Sequence, residues 1–165
     1  MRKRMPKQRA KATRTLRRSA TTGRFPARKR TITFQLFIAK ETPTAEKIHA
    51  IRSGVGARVV DDMVRYLEVP KNVVFAVLHT PESTAHRLIR DNRPLDSAAS
   101  ERVVRVADVI RAAEGTLGGR EAATKWLKTP NLALGDATPL SMLDTEPGAN
   151  EVRRILSSIK YGGAF

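Results

Sequence analysis

The residues of this chain that could do acid-base or metal chemistry are scattered rather than grouped. Its three histidines, His49, His79 and His86, lack the His-Glu spacing of a zinc-binding helix, and there is no cysteine to complete a metal site. Asp61 and Asp62 are adjacent in sequence, so on a helix they diverge and cannot act as one paired-carboxylate site. We therefore expect a non-enzymatic protein without a metal or another cofactor.

Binding of DNA is the chemistry that residues 71–92 indicate. A short apolar helix, the turn His79-Thr80-Pro81 and a second helix follow one another there. In a helix-turn-helix motif the second helix lies in the major groove, so its outward side chains are polar. Arginine bonds guanine edges, and serine or threonine donates to phosphate. An ordinary helix pair with a solvated basic face gives the same pattern, so both readings stay open. The predicted DNA-binding residues are Ser83, Thr84, His86, Arg87 and Arg90.

Positive charge is concentrated at the start of the chain. The net charge is +15, from 31 basic and 16 acidic residues. Residues 1–30 hold 13 of the basic residues and no acidic one, which leaves 18 against 16 for the rest. Such an arm repels itself and has little to bury, so we expect it to be disordered. It is interpreted as a nucleic-acid contact, with an organelle transit peptide or an over-extended gene start as alternatives.

Size and composition limit the remaining possibilities. The chain has 165 residues, 41% of them hydrophobic, which suffices for one ordinary core or two very small ones. Without cysteine there is no disulfide framework, which fits a reducing cytoplasm. The apolar runs are far shorter than the roughly 20 residues of a membrane span. We expect a cytoplasmic protein with no membrane partner.

The hydrophobic pattern predicts a mainly α fold. The one strand signal is at residues 31–39, which are β-branched and aromatic; this strand would either pair with its counterpart in a second subunit or serve as an extended lead-in. The stripe Ala45, Ile48 and Ile51 predicts an inward face, and Arg105 is expected on a face away from the core. Helices are predicted at residues 42–53, 57–67, 71–78, 82–92, 97–117, 120–127, 138–143 and 148–159.

The C-terminal forty-odd residues form the most specific pattern. They read WLKTPNLALGDATPLSMLDTEPGANEV and end in ILSSIKYG. One tryptophan, three proline-containing turns and a terminal Tyr-Gly occur in a fixed order. This segment closely resembles the toxin-binding domain of the Xre/MbcA/ParS antitoxins, which are partners of RES-domain toxins. Residues 54–117 resemble, more weakly, the Xre-type helix-turn-helix domain that precedes it.

The resemblance implies an antitoxin of a type II toxin-antitoxin system, whose C-terminal domain covers the active site of a RES toxin that degrades NAD. It also implies a homodimer that represses its own operon by binding operator DNA. In such proteins the last helix and the chain end approach the toxin. The residues at those positions here are Arg153, Arg154, Lys160, Tyr161 and Gly162.

The expected organisation has four parts: a basic arm at 1–30, a strand and helix at 31–53 that could mediate dimerisation, a helix-turn-helix domain at 54–117 and a toxin-binding domain at 118–165. One position departs from the family. Where relatives tend to carry glycine in the turn between the paired helices, this chain has His79. The alternative function is a stand-alone DNA-binding or architectural protein that uses its basic arm.

Overall fold

A single long helix, α6 (Ser97–Leu117), runs through the centre of the structure. The computed structural model describes residues 34–39 and 42–162. Within these residues there are eight α-helices and two 3₁₀ helices, and the only extended pairing is an isolated antiparallel bridge between Gly56 and Pro94. The predicted mainly α fold is confirmed. The basic arm at 1–30 lies outside the described residues.

The other helices surround α6 in chain order. The preceding ones are α1 (Phe34–Ala39), α2 (Thr44–Ser53), α3 (Val59–Leu67), α4 (Lys71–Leu78) and α5 (Glu82–Arg90). The following ones are α7 (Arg120–Lys128), the 3₁₀ helices η1 (Leu132–Leu134) and η2 (Ser141–Asp144), and α8 (Glu146–Tyr161). None of the helices in these ranges combines the length and apolar character that crossing a membrane requires.

Helix α6 has the start and stop that its sequence predicts. The side chain of Asp96 accepts a hydrogen bond from the backbone N–H of Ala99 at 2.7 Å, and the helix ends at Gly118. Between residues 99 and 111 every residue is buried or half-buried. Helices α1, α2, α4, α7 and α8 and the 3₁₀ helix η2 all contact it, so its apolar residues form the middle of one continuous core.

The strand predicted at residues 31–39 is wrong for its described part, because residues 34–39 form helix α1. Phe34, Phe37 and Ile38 are buried, and their spacing of three and four residues places them on one helical face. The ring of Phe34 meets the ring of Tyr66 edge-on at 5.8 Å. The neighbouring α3 and α6 supply a surface that fits this face, so tertiary packing overrides the local β propensity.

Tyr66 is the residue at which α1, α3, α6 and α7 meet. Its hydroxyl donates to the carboxylate of Glu114, and its burial, reinforced by that bond, raises the pKa of the phenol above its ordinary value. The guanidinium of Arg120 stacks on the ring at 4.2 Å and donates to the Tyr66 carbonyl at 3.0 Å. These contacts hold the start of α7 against α3.

Two predicted helix faces also require correction. In α2, Ala45 and Ile48 of the predicted stripe are exposed, whereas Ile51 packs half-buried against the core beside buried Ala50. Lys47, on this same side of the helix, forms an ion pair of 2.7 Å with Asp108 of α6. In α6, Arg105 is buried rather than on an outward face, since η2 and α8 cover that side of the helix. Hydrophobic periodicity marks a favourable face but does not show how many faces neighbouring elements cover.

The start of α8 depends on the absence of a side chain at Gly148. A Cβ atom there would lie 2.1 Å from the backbone carbonyl oxygen of Met142. Gly148→Ala should therefore lower the free energy of unfolding by about 1 to 3 kcal/mol in urea denaturation, because backbone must shift to relieve the contact. Gly115→Ala is the matched control, since its Cβ would meet nothing within 4 Å in a helix. It should stabilise by about 0.5 to 1 kcal/mol, and equal effects of the two substitutions would contradict this account.

Candidate functional site

The turn between α4 and α5 is closed by backbone hydrogen bonds. The N–H of His79 donates to the carbonyl of Ala76 at 3.1 Å, and the N–H of Thr80 donates to that of Phe75 at 3.0 Å. His79 adopts the left-handed conformation, with φ of 50°. Such a residue commonly ends a helix and redirects the chain. The turn thereby sets the direction in which α5 leaves α4.

Helix α5 presents most of the predicted DNA-binding residues to solvent. Ala85 is fully buried and fixes the inward face. Ser83, His86, Arg87 and Arg90 are exposed on the other side, and Thr84 is half-buried at its edge. The structure therefore brings these five predicted residues onto one short helix, where they are available to a partner.

The basic side chains of α5 differ in whether an acidic side chain lies beside them. Arg90 donates from Nε to Asp91 at 3.0 Å, and the His86 ring lies 3.3 Å from the Glu82 carboxylate and edge-on to the ring of Phe75. Arg87 has no carboxylate partner among the described residues. It is the arginine of this helix whose charge is most available to an anion.

The predicted toxin-binding arginines on α8 are held by acids of the same helix. Arg153 donates to Glu146 at 2.9 Å and to Asn150 at 2.7 Å. Arg154 pairs with Glu151, and its hydrogen bonds hold the pKa of the Glu151 carboxyl below its ordinary value. These side chains lie on the outer surface of α8, but their charges are largely compensated.

The end of α8 is different, because it exposes an aromatic side chain. Tyr161 is 77% exposed, the ammonium of Lys160 lies 5.3 Å from its ring centroid, and Gly162 ends the helix. Buried Val152 and Leu156 hold the same helix against the core. Lys160, Tyr161 and Gly162 thus form a projecting tip on a firmly packed helix.

The two surfaces are joined through α6 and η2. Arg102 donates to the carbonyl of Leu78 at the end of α4 and to the carbonyl of Asp144 in η2, at 3.4 and 3.1 Å. His79 lies 3.1 Å from the Asp144 carboxylate. Buried Arg105 donates to the Leu143 carbonyl at 3.2 Å and forms an ion pair of 2.9 Å with Glu146. The turn before α5 and the start of α8 therefore rest on shared supports.

Two family models match successive parts of the chain. Residues 46–108 match the antitoxin Xre-like helix-turn-helix domain, and residues 112–162 match the antitoxin Xre/MbcA/ParS C-terminal toxin-binding domain. A Sphingobium sp. protein named Prs ADP-ribosylating antitoxin is 31% identical over 126 residues, which cover 71% of this chain and 79% of that one. An antitoxin Xre of Yersinia enterocolitica is 31% identical over 117 residues, covering 70% and 78%. The chain belongs to the Xre/MbcA/ParS antitoxin family.

Family membership confirms the resemblance carried by the tryptophan, the proline turns and the Tyr-Gly end. Trp126 itself packs half-buried against the core. Sequence reasoning missed the roles of Asp144 and Arg105, because their partners are 65 and 38 residues away. It also missed Leu132, which is 86% exposed on η1. The signal in the sequence was a leucine placed directly after the turn residues Pro130 and Asn131, where polar residues are usual.

No constellation of metal ligands occurs in this antitoxin within residues 34–39 and 42–162: no group of three His, Asp or Glu side chains is placed to hold a metal ion. The described histidines are instead found on exposed helix surfaces and in the α4–α5 turn. His79 is the one with a contact between distant segments, through Asp144.

The unusual His79 turn yields a stability prediction. A non-glycine residue in the left-handed conformation costs about 1 kcal/mol or more relative to glycine. His79→Gly and His79→Ala both remove the contact with Asp144, so their difference isolates the backbone term. The glycine variant should be more stable by about 1 kcal/mol in chemical denaturation. If alanine is equally stable, the turn does not keep its left-handed geometry in solution.

Proposed function

We propose that this chain is the antitoxin of a type II toxin-antitoxin system and acts without catalysis of its own. It neutralises a RES-domain toxin that degrades NAD by covering the toxin's active site. The contact is made by the end of α8, with Lys160, Tyr161 and Gly162 entering the cleft. Arg153 and Arg154 contact the toxin beside it, and residues 118–165 act as the toxin-binding domain.

The exposed aromatic tip of α8 is the observation that carries the proposal. It lies within the segment that matches the toxin-binding domain model. Tyrosine is enriched among residues that dominate binding energy, because it adds a large contact area at low entropic cost. A phenol and an ammonium side by side also suit a cleft built for an anionic dinucleotide. Leu132 supplies a second exposed apolar side chain in the same segment.

NAD chemistry is supported from a second direction. The name of the Sphingobium relative refers to ADP-ribosylation, and ADP-ribosyl transfer also consumes NAD. A toxin that degrades NAD and a toxin that transfers ADP-ribose both need a cleft that binds this anionic dinucleotide. The α8 tip therefore suits a toxin of either kind. Cellular NAD and ADP-ribosylated protein, measured after toxin induction, separate the two chemistries.

Operon repression is the second part of the proposed function. The antitoxin binds operator DNA as a homodimer within a larger toxin-antitoxin complex, with α5 entering the major groove. The helix-turn-helix model that matches residues 46–108 and the exposed polar face of α5 support this part. Ser83, Thr84, His86, Arg87 and Arg90 are the proposed contacts.

Neutralisation is tested by co-expression with the RES-domain protein of an adjacent reading frame. The toxin alone should stop growth, and this chain should restore it. Tyr161→Ala should weaken the complex by about 30-fold or more, the loss of about 2 kcal/mol typical of an interface hot spot. The dissociation constant is measured by titration calorimetry.

Ser97→Ala, at an exposed position at the start of α6 and outside the proposed contact, is the control and should bind as the natural chain does. Absence of both rescue and a stable complex would refute the toxin-binding function. It would favour the stand-alone DNA-binding alternative if DNA binding persists without a protein partner.

The DNA part predicts unequal roles for the two arginines of α5. Arg87→Gln should weaken binding to the DNA upstream of the antitoxin's own gene by about 1 to 3 kcal/mol, and binding to random-sequence DNA far less. Arg90→Gln should have a smaller effect, since Asp91 already compensates Arg90. Fluorescence anisotropy with both duplexes measures the difference. Equal losses on both duplexes would make Arg87 a phosphate contact instead.

A further inference from the structure

The loop after α5 is paired with the segment between α2 and α3. The N–H of Ala57 donates to the carbonyl of Arg93 at 3.0 Å, and the N–H of Leu95 donates to that of Val55 at 2.8 Å. Gly54 permits the close approach, because a Cβ there would lie 2.5 Å from the Leu95 carbonyl oxygen. Two stretches nearly forty residues apart in sequence thus form one surface.

This pairing gathers three exposed arginines, Arg52, Arg58 and Arg93. Arg93 is hydrogen-bonded through its carbonyl to Ala57, the residue before Arg58. Arg52 lies in the last turn of α2, two residues before the Gly54 contact with Pro94 and Leu95. We call these three residues the arginine cluster.

No carboxylate of the described residues forms an ion pair with the arginine cluster. None of its three guanidinium groups has a carboxylate partner in the part of the chain that the structure describes. Asp61 and Asp62, in the first turn of α3, pair with Lys71 at 2.7 Å and with Arg65. On either side of Arg93, Asp91 pairs with Arg90 and Asp96 caps α6. Three such charges on one surface raise its positive potential, so an anion that contacts them would bind favourably.

The arginine cluster also adjoins the C-terminal end of α5. The N–H of Arg93 donates to the carbonyl of Leu88 at 2.9 Å, and that of Asn92 to Ile89 at 3.2 Å, so the loop stays against the helix. Arg87 and Arg90 occupy the last turn of α5. A duplex whose groove receives α5 would place its phosphate backbone beside this loop.

We infer that the arginine cluster binds the DNA phosphate backbone next to the groove that α5 enters. The inference rests on the DNA-binding part of the proposed function. Guanidinium groups bond phosphate oxygens in bidentate fashion, and their contact is independent of sequence. The cluster therefore contributes affinity and register, while α5 reads the bases.

The test compares two triple variants of the full chain. One carries Arg52→Gln, Arg58→Gln and Arg93→Gln. The control carries Arg65→Gln, Lys125→Gln and Lys128→Gln, which removes the same charge from the α3 and α7 surfaces. Binding to a fluorescein-labelled random-sequence duplex and to the upstream duplex is measured from 50 to 200 mM salt. Thermal denaturation verifies that both variants are folded.

In the triple variant each protomer loses three phosphate contacts. For each protomer bound, this should reduce the slope of log affinity against log salt by about 2.7. Binding to both duplexes should weaken by a similar factor, roughly 10 to 100 per protomer near 0.15 M salt. The control should keep the natural slope. Equal slopes for the two variants would overturn the phosphate contact of the arginine cluster but not the proposed DNA binding by α5. Weakened toxin binding with unchanged DNA binding would do the same. Failure of the natural chain to bind either duplex would overturn the proposed DNA binding as well.

Discussion

A helix that is covered on every side must find a partner inside the protein for each of its charges. Helix α6 comes close to this position between residues 99 and 111, where every residue is buried or half-buried, yet it carries five charged side chains there. Asp108 is compensated by Lys47 and Arg111, and Arg105 by Glu101 and Glu146. Burying a charge without such partners would be strongly unfavourable. Lys47 of α2 and Glu146 of α8 thus pair with charges of α6 on the sides where these two helices lie.

The two candidate surfaces, on α5 and α8, therefore rest on the same helix but differ in electrostatic character. Arg102 binds carbonyl groups of both α4 and η2, so the support of α5 and that of α8 share one side chain. On α8 the arginines are compensated and the tip is aromatic, which suits a protein cleft. Around α5 several arginines have no acidic partner among the described residues, which suits a polyanion.

The sequence predicts what depends on neighbouring residues and misses what depends on distant ones. The Asp96 cap and the regular spacing of Val103, Val106 and Ile110 locate α6 to the residue, because capping and periodicity are local. The apolar positions of residues 31–39 fit both the alternation of a strand and one face of a helix. For residues 34–39, packing against α3 and α6 decides in favour of the helix. At the candidate site, the polar pattern of residues 82–92 predicted the outward face of α5. The resemblance of the C-terminal segment to a known family predicted that the end of the last helix faces a partner. The contact between His79 and Asp144 and the grouping of the arginine cluster arise from folding, so no spacing in the sequence announces them.

The two segments matched by the family models, 46–108 and 112–162, meet within α6 rather than at a loop. A hybrid that joined the first segment of one relative to the second of another would have to be spliced inside a continuous helix. One inserted or deleted residue there rotates everything downstream by about 100° and shifts it by about 1.5 Å. An exchange of halves among relatives would therefore keep the packing around α6 only if it preserved the helical register.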